Sequence, residues 1–151
     1  MSVELTTMCA VFKGNSVLMI NRKRNWCGWA FPGGHLEGDE SLLECVKREL
    51  WEETGVFINE VKFKGITNIY NTMTGARHII FNYCAECSNC DVKTKCDEGT
   101  ISWIDIDKIS DLDLAEGMDY RLPLFLKKEN RELYIEWDSQ RGYTSVEYNE
   151  V

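Results

Sequence analysis

Residues 34–56 read GHLEGDESLLECVKRELWEETGV. Ser41, followed three residues later by Glu44, makes a capping box that starts a helix at residue 42. Leu43, Val46 and Leu50 recur at spacings of three and four and give that helix an apolar stripe. Gly55 is placed to cap its C-terminus, so the predicted helix spans 42–54. Glu49, Glu52 and Glu53 crowd its last turns. On a helical wheel Glu52 lies about 60° to one side of Glu49 and Glu53 about 40° to the other, so all three share an arc of roughly 100°. Like charges this close repel, and the negative end of the helix dipole adds to the cost. A solvated acidic face partnered by Lys47 and Arg48 is the ordinary reading of such a run. The other reading is a grip on a hard divalent cation, since Mg²⁺ takes one or two carboxylates together with phosphate oxygens. Arg48 then orients a carboxylate through a bidentate pair. The Gly33-Gly34 loop just ahead of the helix favours the second reading.

Outward from the helix, strands dominate. Residues 4–13 and 16–21 are rich in strand formers and flank Gly14-Asn15, which predicts a hairpin. Residues 22–34 form a basic, aromatic loop ending in Phe31-Pro32-Gly33-Gly34. Strands are expected at 56–70 and 77–87 around a turn at Thr74-Gly75, and at 100–105. A second helix is expected from about Met118 to Lys128, then strands at Leu133–Trp137 and Tyr143–Tyr148. This mixture without a regular βαβ alternation predicts an α+β fold, a mixed sheet with helices packed on it.

The chain has 151 residues, enough for one domain with a real core. At 44% hydrophobic and 28% charged residues it is globular in character. No apolar run approaches the ~20 residues of a membrane span, and the N-terminus has no basic-then-apolar pattern of a secretory signal. The net charge of −8 repels nucleic-acid polymers, and neither such a polymer nor a membrane is expected as a partner. A small anionic ligand is still admissible if a cation bridges it to the acids. Seven cysteines, an odd number, are expected to be reduced thiols in a cytoplasmic protein.

The stretch 34–56 resembles the Nudix box, G-x5-E-x7-R-E-U-x-E-E-x-G-U with U aliphatic. Gly34, Glu40, Arg48, Glu49, Leu50, Glu52, Glu53, Gly55 and Val56 occupy every fixed position. The resemblance implies a single domain over 1–151 with a Nudix-type α/β/α sandwich around a mixed β-sheet. It implies hydrolysis of a nucleoside diphosphate linked to a further group. It makes Glu49, Glu52, Glu53 and the Gly33 carbonyl ligands of Mg²⁺, or of Mn²⁺ in its place. Glu53 or Glu52 would help activate water, Arg48 would hold the carboxylates, and Glu40 would support the loop. A further acid in several members precedes a tryptophan by five residues, and Glu98 stands so before Trp103, which makes Glu98 a candidate ligand or base. The chemistry is coherent: metal ions offset the diphosphate's charge and make water more acidic, and a carboxylate takes the proton.

Residues outside the box choose the substrate. Ile20–Arg24 and Trp29–Gly34 resemble the MutT branch, which acts on oxidised purine nucleoside triphosphates such as 8-oxo-dGTP. Arg22 stands where that branch often has a substrate-contacting arginine. The position of Arg22, Lys23 and Arg24 ahead of the metal loop favours phosphate contact over a plain solvated loop. ADP-ribose hydrolases commonly carry a proline about 15 residues after the box, where this chain has Tyr70-Asn71-Thr72-Met73. A base needs an apolar slot with a few polar groups. Trp26, Trp29, Phe31 and Tyr120 are candidates for stacking, and Asn68, Glu116 and Asp119 for reading a purine edge, with core packing the common alternative for each aromatic. Gly34 joins Arg22, Arg24, Trp29, Phe31 and Asp119 in the expected substrate-binding set. ADP-ribose, a nucleotide sugar or a dinucleotide is the second substrate reading, and a non-catalytic nucleotide sensor is the alternative of another class. The sequence leaves monomer and homodimer open.

Cys84, Cys87, Cys90 and Cys96 are spaced C-x2-C-x2-C-x5-C. Four thiolates can hold zinc, but this is not the usual two-knuckle spacing, and buried or loop thiols are the simpler expectation. Cys87 and Cys90 also form a candidate redox pair. His35 and His78 show no partner in sequence.

Overall fold

The structure is a computed structural model describing residues 2–88, 90–127 and 131–150. β1 (Val3–Lys13) and β2 (Ser16–Arg22) form the expected hairpin around Gly14-Asn15. Two three-residue strands follow inside the basic loop, β3 (Gly28–Ala30) on β2 and β4 (Gly33–His35) on β1. α1 (Leu42–Thr54) begins with both halves of the capping box in place. β5 (Lys62–Asn71) and β6 (Arg77–Glu86) come next. A two-residue strand β7 (Lys95–Cys96) precedes β8 (Gly99–Asp105) and a 3₁₀ turn at Ile106–Asp111. α2 (Met118–Leu126), β9 (Arg131–Asp138) and β10 (Gly142–Glu150) complete the described chain.

The sheet runs β10-β9-β5-β6-β1-β2-β8-β7. β1 and β6 are parallel, as are β5 and β9, while the other neighbours are antiparallel, so the sheet is mixed. Alternation along the central strands divides the core into two layers. Met8 and Ala10 of β1 and Val17 and Met19 of β2 pack with Met118, Leu124 and Phe125 of α2. Cys9, Val11, Leu18 and Ile20 face the other way and pack with Val46 and Leu50 of α1. A helix on each face makes this the α/β/α sandwich, a mixed sheet with few helices.

Several expectations are corrected. Leu43 is exposed, and the inward face of α1 is Cys45, Val46 and Leu50 together with Glu53 and Thr54. The strand expected from 56 starts at Lys62, because Gly55 takes a left-handed turn at φ 77° and sends Val56 and Ile58 into the core first. α2 ends at Leu126, with Lys127 already extended, and Lys128 lies outside the described residues. The Cys87 and Cys90 side chains come together in the turn after β6, with Cα atoms 6.2 Å apart. Cys84 and Cys96 are free thiols. No helix of the described residues is long and apolar enough to cross a membrane.

Candidate active site

α1 delivers its acids to three different environments. Glu52 stays exposed, Glu49 is largely covered, and Glu53 is buried. Arg48 ties the first two together. Its Nη1 donates to Glu49 Oε1 at 2.8 Å and to Glu52 Oε2 at 3.3 Å, while Nε and Nη2 make a bidentate pair with Glu40 at 3.0 and 2.7 Å. Nη2 also donates to the His35 carbonyl at 2.9 Å, which fastens the helix to β4. These bonds hold Glu40 down to about 2, and Glu40 in turn accepts from the Glu37 N–H, closing the loop ahead of α1.

Glu53 faces inward. Its Oε1 accepts the Gly33 N–H at 3.1 Å, and its Oε2 is buried with no hydrogen-bond partner. Burial, followed by the adjoining Glu49 carboxylate, pushes its pKa well above the ordinary carboxylate range, while the Gly33 N–H opposes them. Two carboxylates that compete for one proton suit a shared cation. Gly34 lies against the Glu49 carboxylate so closely that a Cβ there would collide with it. Among the described residues no three His, Cys, Asp or Glu side chains converge as a ready-made metal cage, and this covers both the glutamate trio and the cysteine run. The orphaned Glu53 oxygen, the neighbouring Glu49 and the glycine cradle do fit a hard cation that completes its shell with phosphate oxygens and water.

Glu49 and the glycine cradle border a cleft of about 530 Å³. Gly33, Gly34, Glu49, Arg22 and Glu98 line one part, and Arg22 pairs with Glu98 at 2.8 Å. Glu98 also contributes to the field that raises Glu53. Phe31, buried edge-on against Phe125, forms part of the apolar wall. Exposed Trp26 reaches over the cleft to Trp137, with ring centroids 6.2 Å apart.

A NUDIX domain family model matches residues 4–125. The chain belongs to the NUDIX family. It is a MutT-like Nudix hydrolase by its relatives and structural neighbours. The uncharacterized Nudix hydrolase YvcI of Bacillus subtilis is 28% identical over 83% of this chain and 80% of its own. The phosphatase NudJ of Escherichia coli is 43% identical, but over 35% of each chain, so this Nudix chain matches only about a third of that relative's length. The MutT protein of Bacillus halodurans superposes with a TM-score of 0.84 at 26% identity, over 96% of this chain and 97% of its own. The NUDIX domain of Shewanella oneidensis NrtR, solved with ADP ribose, shares the fold with a TM-score of 0.71 at 20% identity, over 82% and 86% of the chains.

Not every residue picked from sequence reaches the Nudix cleft. Arg24 donates from the surface to the Asp97 carbonyl at 2.6 Å. Trp29 packs against the α2 layer, its backbone held by Asp113 and Ala115. Asp119 lies exposed in the first turn of α2, and Tyr120 stacks edge-on with Tyr143; neither lines the cleft. Asn68 is occupied by Glu132 and Arg77. Glu116 does line it. Both histidines have partners: His78 bonds Thr6 at 2.9 Å and His35 meets Glu4 at 3.2 Å. Arg121, Trp137 and Tyr143 line the cleft without any local signal, because α2, β9 and β10 bring them there from the far end of the chain.

Proposed function

We propose that this chain hydrolyses the phosphoric anhydride of a nucleoside diphosphate linked to a further group. The favoured substrate is a nucleoside triphosphate, ordinary or oxidised as in 8-oxo-dGTP, cleaved to the monophosphate and pyrophosphate. The observation that carries this is the buried, unpartnered Glu53 oxygen beside Glu49, whose own carboxylate lines the cleft. Glu49 and Glu53 would hold Mg²⁺ or Mn²⁺, with the Gly33 carbonyl, Glu52 and Glu98 as further donors. Once bound, such an ion offsets diphosphate charge and makes water acidic enough to attack near neutral pH. Glu53 accepts the proton of the attacking water. Glu52, on the exposed side of Arg48, is the second base within the same turn. Arg48 keeps Glu49 and Glu52 in place, and Glu40 keeps Arg48 in place. Arg22 would contact the phosphates, and Gly34, with no Cβ, lets the Glu49 carboxylate lie against the loop. Phe31 and Trp26 offer the base an apolar wall.

The likeness of the B. halodurans MutT protein supports the triphosphate reading, and that of the NrtR domain supports ADP-ribose as the competitor. Steady-state kinetics on dGTP, 8-oxo-dGTP and ADP-ribose with Mg²⁺ tests this. A triphosphate with the highest kcat/KM, yielding pyrophosphate, is the expected result. A higher kcat/KM for ADP-ribose overturns the triphosphate assignment. Binding of one of these compounds with no cleavage of any indicates a sensor.

A further inference from the structure

Two guanidiniums face the same cleft with unmet hydrogen-bonding capacity. Arg22 Nε and Arg121 Nε are both buried and without a partner. Arg22 has Glu98 on its Nη2 at 2.8 Å. Arg121 has less: its Nη1 meets only the Met8 sulfur, at 3.8 Å. Among the described residues, the ionisable groups whose fields meet that of Arg121 are Tyr143, Arg22 and His78, and no carboxylate is among them. Burial lowers Arg121 to about 10, so it remains a cation at neutral pH, repelled by Arg22. Met8 pairs with Gly33 across β1 and β4, which puts Arg121 one strand from the loop that carries the Glu53 contact. A largely enclosed cation without a counter-charge, as Arg121 is, is costly unless an anion joins it. Guanidinium forks match phosphate oxygens in geometry and charge.

We propose that Arg121 joins Arg22 in a clamp for one phosphate group of the substrate, which the two guanidiniums can hold without a metal. The clamp rests on the reading of the cleft as a nucleotide site, and it makes Arg121 a binding residue of that site. With the phosphate oxygens taken by guanidiniums, Glu49 and Glu53 stay free for the cation. While no metal is bound Glu98 stays on Arg22 and balances one of the two positive charges, so the empty clamp carries a net charge that a phosphate neutralises.

The test is calorimetric titration with inorganic pyrophosphate in EDTA, where no hydrolysis is involved. Wild-type protein is expected to bind. Arg121→Met and Arg22→Met should each weaken binding by about tenfold or more. The double variant should lose little beyond the worse single one, because both groups hold the same ion. Arg121→Lys should recover part of the loss. AMP and GMP should weaken by the same factor in Arg121→Met. The unfolding temperature of Arg121→Met should equal or exceed that of the wild type, because no ion pair is lost. The clamp is overturned by no wild-type binding in EDTA, by unchanged affinity in Arg121→Met, by a loss confined to one base, or by a fall in unfolding temperature. Pyrophosphate binding that persists while no anhydride is cleaved would sink the proposed hydrolysis and leave the clamp standing.

Discussion

Arg48 serves Glu40, Glu49 and Glu52 with one guanidinium, and this sharing is what makes the acidic face of α1 tolerable. A methionine in its place keeps the length and loses every bond. Arg48→Met is therefore expected to lower activity by about 10–100-fold, the usual cost of removing a group that orients metal-holding carboxylates. Arg48→Lys should restore part of it, since an ammonium keeps the charge without the fork. Kinetics of the two variants at saturating Mg²⁺ check this. The residue scale is also where sequence reading was sharpest and where it stopped. A shared arc on the helical wheel made Glu49, Glu52 and Glu53 alike. Packing separates them, because Glu53 points under the Gly33 loop while Arg48 holds Glu49, largely covered, and Glu52, exposed.

At the scale of elements, α1 is written into its own ends. Ser41 accepts from the Glu44 N–H at 3.1 Å and Glu44 accepts from the Ser41 N–H at 2.9 Å. Ser41→Ala should cost about 1 kcal/mol, which is about 2–4 °C in unfolding temperature for a chain of this size. The β9–β10 hairpin depends on Asp138, which accepts from the Gln140 and Arg141 N–H groups at 2.8 and 2.6 Å and from Arg141 Nε at 2.8 Å. These bonds favour the ionised form and lower its pKa, the Arg141 N–H most. Stability from Asp138 is therefore complete above its ordinary value of 3.8 and lost as pH falls through the lower folded value. Asp138→Ala should be less stable than wild type at pH 7, and thermal melts should show the gap closing below that ordinary value. Local signals of this kind identified α1 and most strands. They missed β3, β4 and β7, which have two or three residues each and are defined by their neighbours rather than by any periodicity.

At the scale of the whole molecule, the cleft joins distant parts of the chain. The loop at 33–34 and α1 bring the acids, the basic loop brings Arg22 and Trp26, and α2, β9 and β10 bring Arg121, Trp137 and Tyr143. The acidic part was legible because it lies in one contiguous motif. The opposite wall was not, because an arginine in a helix or a tryptophan in a strand has no local mark of facing a cleft. Arg24, Trp29 and Asp119 looked equally eligible in sequence, and the fold turns each of them elsewhere. The account depends most on Glu53, buried with one unpartnered oxygen beside Glu49. Glu53→Gln keeps its size and its bond from Gly33 while removing its charge and basicity. The decisive measurement is kcat of Glu53→Gln with Mg²⁺ on the best nucleotide substrate. The account expects a fall of about 10²–10⁴-fold with the fold intact, and turnover within about threefold of wild type would contradict it.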